Sequence, residues 1–169
     1  MKELINKLVT ELLETLSNSP DKDRYLLGIT GCPAAGKSML AGKLTDEINF
    51  RTGDDLAAVV PMDGFHLPNS ILKKRGLTKV KGAPETFDAG SFVELINQLY
   101  EFPDRSIMCP AYDRKIHDPV ENFITIKPGN RLIIVEGNYL LLNAHPWNLI
   151  RTKMNEVWYI DTPPKTIKE

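Results

Sequence analysis

With 169 residues, 42% of them hydrophobic, the chain is long enough for one domain with a core buried between packed layers, and a disordered chain is excluded. Its 21 Lys plus Arg nearly cancel its 22 Asp plus Glu, so no global field draws it to nucleic acid or to an anionic membrane, and any anion must be held locally. The two cysteines, Cys32 and Cys109, stand far apart with neither a metal-ligand nor a disulfide spacing, which suits free thiols in a reducing cytoplasm.

Residues 1–17 carry Leu4, Ile5, Leu8, Val9, Leu12, Leu13 and Leu16 at helical spacing with Lys and Glu between them, which predicts a helix packed on the domain's own sheet. The interleaved charges rule out a secretory signal, and a membrane span would need about 20 apolar residues in a row. After a turn-like stretch at 17–23, Tyr25 to Thr30 reads as a buried strand that ends on a glycine-rich loop. A helix is predicted from Lys37 to about Phe50 with Leu40, Leu44 and Ile48 facing inward. A polar connection at 51–55 leads to a second apolar run, Leu56 to Met62, which stops at Asp63 and completes a right-handed βαβ unit.

Residues 64–90, rich in Gly, Pro and Lys, form a segment too long for a plain connection, and it is expected to face substrate. Helical spacing returns over Ala89 to Phe102 and closes at Pro103. Short strands are predicted at Ser106 to Cys109 and Phe123 to Ile126, a central strand at Leu132 to Val135, and another at Val157 to Ile160. Strands alternating with helices predict an α/β fold over residues 1–169, a doubly wound parallel sheet with ligands beyond the carboxyl ends of the strands.

At the first of those ends Gly31, Cys32, Pro33, Ala34, Ala35, Gly36, Lys37 and Ser38 match G-x-x-x-x-G-K-[ST] in full, between a predicted strand and a predicted helix. Glycines let the backbone curl so that successive N–H groups and a helix N-terminus turn toward phosphates. With Met39 these residues form the expected ATP site. Lys37 supplies a mobile charge to the β and γ phosphates, Ser38 a hydroxyl for Mg²⁺, and Cys32 its backbone, although oxidation there would crowd the loop. No D-x-x-G or N-K-x-D element marks a switch GTPase and no L-S-G-G-Q marks a transporter ATPase. Asp63 and Glu136 end the neighbouring apolar runs; beside a P-loop they are expected to act in phosphoryl transfer, Asp63 as base and Glu136 with Asp63 and Ser38 around the metal, rather than as capping carboxylates.

Asp-Gly-Phe-His-Leu-Pro-Asn at 63–69, Arg-Gly-Leu at 75–77, Lys-Gly-Ala-Pro-Glu-Thr-Phe-Asp at 81–88, Pro-Ala-Tyr-Asp-Arg at 110–114 and Val-Glu-Gly-Asn-Tyr-Leu-Leu at 135–141 resemble, in order, the signatures of the phosphoribulokinase and uridine kinase family of P-loop kinases. The likeness covers about 25–163 and lies nearest the pantothenate kinase-like branch and relatives named for fructose transport systems. It implies a P-loop NTPase fold of the nucleoside kinase-like type, that Asp63 is the base, that Glu136 is the magnesium-associated acid, and that substrate lies against the loop after Asp63 and the segment around Tyr112. Arg114 stands where the uridine and pantothenate kinases usually have a histidine, and its fork of donors suits a carboxylate or phosphate. His66, Arg75, Lys81, Tyr112 and Arg114 are therefore the expected substrate contacts. The run Lys73, Lys74, Arg75, Lys79, Lys81 is otherwise a solvated loop face, and with no aromatics interleaved it is not a nucleic-acid patch. His117 and His145 look incidental, and Trp147 and Trp158 look like packing residues. Kinases of this family continue into a lid with a catalytic arginine and a further strand. Residues 162–169 are too few for both, so lid and last strand are expected to be lacking, or a partner to complete the site. The expected function is an ATP- and Mg²⁺-dependent kinase acting on a hydroxyl of a sugar, nucleoside or pantothenate-like alcohol. The alternative is a nucleotide-binding regulatory or degenerate module; a nucleoside monophosphate kinase would need an arginine-rich lid. Neither nucleic acid nor membrane is an expected partner, and a homodimer is left open.

Overall fold

The structure, a computed structural model, describes residues 1–19 and 23–161. Its elements are α1 (Lys2–Ser17), β1 (Tyr25–Gly31), α2 (Lys37–Thr52), β2 (Ala57–Pro61), α3 (Asn69–Lys74), α4 (Ala89–Glu101), β3 (Ile107–Asp113), β4 (Asp118–Ile126), β5 (Leu132–Glu136) and β6 (Glu156–Ile160). Four strands form a parallel sheet in the order β2-β5-β1-β6.

Because successive side chains of a strand point to opposite faces, the unbroken apolar runs of β1 and β5 demand cover on both sides. Leu27, Ile29, Leu132 and Ile134 face a layer made by α1 and α2 through Val9, Leu12, Leu16, Leu44 and Ile48. Leu26, Ile133 and Val135 face the other way, onto α4 (Phe92, Ile96, Leu99) and a 3₁₀ segment at Trp147–Lys153. The sheet is doubly wound, as the alternation of strands and helices predicts.

Four details differ from the sequence expectation. Leu4 is 55% exposed, so the inward face of α1 is Ile5, Val9, Leu12 and Leu16, flanked by the half-buried Leu8 and Leu13, one position short of the seven expected. In the βαβ unit β2 is not the neighbour of β1, because β5 lies hydrogen-bonded between them. The short pieces at 106–109 and 123–126 are the ends of a longer antiparallel hairpin, β3–β4, outside the main sheet and bulged where Pro110 offers no N–H to the ladder. The segment 64–90 is built of helical turns: a 3₁₀ turn at Met62–Phe65, α3 with Leu72 buried beneath it, and two further 3₁₀ turns before α4. Trp147 is buried among the rings of Phe87, Phe92 and Tyr139 and serves packing as expected.

Arg24 ties the far layer together. Its buried guanidinium donates to the carbonyls of Leu99, Phe102, Arg105 and Lys127, satisfying backbone acceptors at the end of α4 and beside the hairpin. No helix among the described residues is long and apolar enough to cross a membrane. Residues 162–169, expected to be too few for a lid and a last strand, lie outside the described residues.

Candidate active site

Register between three parallel strands builds the site. Ile29 and Pro61 both pair with Glu136, so the carboxyl ends of β1, β5 and β2 finish level. The loop after Gly31, the Glu136 carboxylate and Asp63, two residues beyond Pro61, consequently meet at one edge of the sheet, where ligands of doubly wound folds bind. A cavity of about 380 Å³ opens there, lined by Lys37, Ser38, Met39, Asp63, Arg114, Glu136 and Asn138 together with the loop itself.

The loop curls through Gly36 at φ +89°, a left-handed conformation that side chains rarely adopt, and Ala34 is held in the same region at φ 61°. Holding an alanine there takes about 1–2 kcal/mol from the rest of the fold. The turn delivers the chain into α2, whose first residue, Lys37, is only 7% exposed. The Lys37 ammonium donates to the Gly31 carbonyl at 3.2 Å and to the Cys32 carbonyl at 2.8 Å. The Ser38 hydroxyl donates to Glu136 Oε1 at 2.9 Å. Cys32 keeps its thiol exposed, 3.9 Å from the Tyr159 hydroxyl, and gives the loop only its backbone.

Burial pushes Glu136 above the ordinary carboxylate range and repulsion from Asp63 adds to it, while the Ser38 hydrogen bond and the charges of Lys37 and Arg114 pull the other way. Burial likewise lowers Lys37, opposed by the two acids. Loop N–H groups, an ammonium, a hydroxyl and two carboxylates fit a magnesium triphosphate: hard oxygen donors suit Mg²⁺, and amide and ammonium donors suit phosphate.

The expected substrate residues fare unevenly. Arg114 lines the phosphate cavity. His66 lines a separate cavity of about 450 Å³ between α4 and the hairpin. Its Nδ1 lies 2.8 Å from the Asp63 carbonyl, and its ring stacks against Phe87 and Tyr112 at 4.0 and 4.9 Å. Tyr112 does not line the phosphate cavity; it packs on His66 and lines a further cavity of about 370 Å³ on the hairpin beside Arg114. Arg75 and Lys81 are not brought to the phosphate cavity. Arg75 is exposed at the end of α3, and Lys81 Nζ is engaged by Asn69 Oδ1 and the His117 carbonyl at 2.6 and 2.7 Å. Asn138 is a wall residue to which sequence reasoning assigned no role, although it stands inside the Val-Glu-Gly-Asn motif.

Glu136→Gln provides a check on the electrostatics. The folded state holds the Glu136 proton more tightly than the unfolded chain does, so folding weakens as pH rises from the ordinary carboxylate value through the raised one. A glutamine has no proton to lose and keeps the Ser38 bond. In EDTA the variant should melt above the parent at pH 7–8, with the gap closing as pH falls toward the ordinary carboxylate range, while its MgATP affinity drops. Equal melting curves across that range would contradict the assigned burial effect.

No protein-family model matches the chain. It is 39% identical over 150 residues to a protein of Schizosaccharomyces pombe named provisionally as a uridine kinase, covering 86% of this chain and 61% of that one, so it spans less than two thirds of that relative. Pantothenate kinase of Limosilactobacillus reuteri is 27% identical over 154 residues, 90% of this chain and 50% of its own length. The crystal structure of a protein from Silicibacter named provisionally as a fructose transport system kinase superposes with a TM-score of 0.82 at 35% identity, covering 94% of this chain and 75% of that one.

Proposed function

Because the chain belongs to the P-loop kinase family of the uridine and pantothenate kinases, we propose that it transfers the γ-phosphoryl group of MgATP to a hydroxyl of a small metabolite such as a sugar, nucleoside or pantothenate-like alcohol. The carrying observation is that Asp63 and Glu136 share one cavity with Lys37 and Ser38. Backbone N–H groups of the loop and the Lys37 ammonium bind the phosphates. Ser38 Oγ and the Glu136 carboxylate would hold Mg²⁺, which when bound supplies charge neutralisation between the β and γ phosphates. Asp63 orients the acceptor hydroxyl and takes its proton as the oxygen bonds to the γ phosphorus; the bond to the bridging oxygen breaks and ADP leaves with that electron pair. His66 and Tyr112 stand on the acceptor side. An exposed Cys32 and a buried Cys109, both free, support a cytoplasmic setting.

A coupled ADP-release assay across sugars, nucleosides and vitamin-precursor alcohols tests this reading. At least one acceptor should raise ADP release well above the acceptor-free rate. MgATP binding with no acceptor-dependent release across the panel would favour a nucleotide-binding regulatory module, and a chain that binds no nucleotide would overturn both readings.

A further inference from the structure

Phosphoryl transfer spreads negative charge over the oxygens of the group in flight, and a P-loop kinase must meet that charge with cations placed around it. Among the described residues that line the phosphate cavity, the cations are Lys37 and Arg114. Lys37 lies at the loop side, buried and tied to the carbonyls of Gly31 and Cys32. Arg114 comes from a different element, the turn between β3 and β4, and it makes no hydrogen bond or ion pair among the described residues. A guanidinium always charged, with its fork of donors unspent and facing Glu136 electrostatically, is suited to three phosphoryl oxygens.

The turn that presents it is held firmly. Asn69 donates its backbone N–H to Asp118 Oδ1 and its side-chain amide to the His117 carbonyl, both at 2.8 Å. The Lys81 ammonium bridges Asn69 Oδ1 and that same carbonyl. Asp113 accepts from the Lys115 N–H at 2.7 Å, closing the turn on the other side of Arg114. A long side chain on a pinned turn loses less freedom on engagement than one on a mobile loop.

We infer that Arg114 is a catalytic residue that contacts the transferring phosphoryl group from the hairpin side, with Asn69 and Lys81 as positioning residues that fix its turn. The inference rests on the kinase reading above and departs from the expectation that Arg114 grips the acceptor. In the transfer, the acceptor oxygen bonds to phosphorus, the bridging oxygen departs with ADP and the proton passes to Asp63; Arg114 neither gives nor takes a proton.

The test needs no acceptor. Binding of mant-ADP with Mg²⁺ is measured with and without aluminium fluoride, a mimic of the phosphoryl group in flight, for the parent and for Arg114→Ala and Arg114→Lys. In the parent, aluminium fluoride should tighten nucleotide binding. Arg114→Ala should bind mant-ADP alone within about twofold of the parent and lose the tightening, while acceptor-free ATP hydrolysis falls on the order of 10³-fold. Arg114→Lys, a point charge without the fork, should recover only part of it. Undiminished tightening in Arg114→Ala overturns the inference and returns Arg114 to the acceptor. A parent that binds mant-ADP but shows no tightening also overturns it, leaving nucleotide binding intact; a parent that binds no nucleotide sinks the kinase reading itself. Arg114 is exposed, so loss of the fold in its variants is not expected, and circular dichroism checks that point.

Discussion

Asp63→Asn is expected to bind MgATP at least as tightly as the parent while transferring phosphate to its acceptor about 10²–10⁴-fold more slowly. The substitution keeps the size of the side chain and its ability to orient a hydroxyl, and removes the capacity to take the hydroxyl's proton. It also removes one negative charge from the wall of a cavity that must admit a triphosphate, so ground-state binding has no reason to weaken. Asp63 helps to raise Glu136, so its neutralisation should let Glu136 ionise at lower pH and hold metal more readily. The signature is therefore a fall in kcat with unchanged or improved nucleotide affinity, read from ADP release and mant-ATP titration on the same preparation. Turnover within a few-fold of the parent would remove Asp63 from the role of base.

How much of this was legible beforehand depended on how local each cause is. The P-loop is a contiguous string whose glycine and lysine positions have their reasons within eight residues, and the structure brings Lys37 and Ser38 to the cavity as the string requires. Glu136 and Asp63 were legible because each ends an apolar run, and ends of parallel strands share one edge. Strand order was not legible: nothing within β1, α2 and β2 announces that β5, some 70 residues on, will sit between them. Of the hairpin only the paired ends near 106–109 and 123–126 were legible, because β4 carries exposed Glu121 and Asn122 on a sheet with one open face, where alternation is weak, and Pro110 and Pro119 interrupt the two strands. Lys81 looked like an anion grip because its partner, the His117 carbonyl, lies 36 positions away and belongs to a backbone that no side-chain pattern records.

Gly64→Ala is expected to damage both fold and site, and it argues the dependence of one on the other. Gly64 lies in the 3₁₀ turn that follows β2, between Asp63 and Phe65, and is buried. A Cβ there would collide with the Pro110 carbonyl oxygen, sit 2.7 Å from the Pro110 carbonyl carbon and 3.1 Å from Ala111 Cα. These obstacles are backbone, so no rotamer change relieves them, and β3 must move away from the turn. That displacement carries Tyr112 away from His66 and Arg114 away from the cavity that Asp63 faces. Overpacking of this kind costs roughly 3 kcal/mol, and for a chain of this size that is a fall in Tm of roughly 6–12 °C. Gly42→Ala is the control. Within α2 a Cβ at position 42 meets nothing within 4 Å, and alanine is the better helix former by about 1 kcal/mol, so that variant should melt at or above the parent. If Gly64→Ala melts with Gly42→Ala and retains acceptor-dependent turnover, the hairpin is not seated against the turn as described, and the placement of Arg114 over the cavity falls with it.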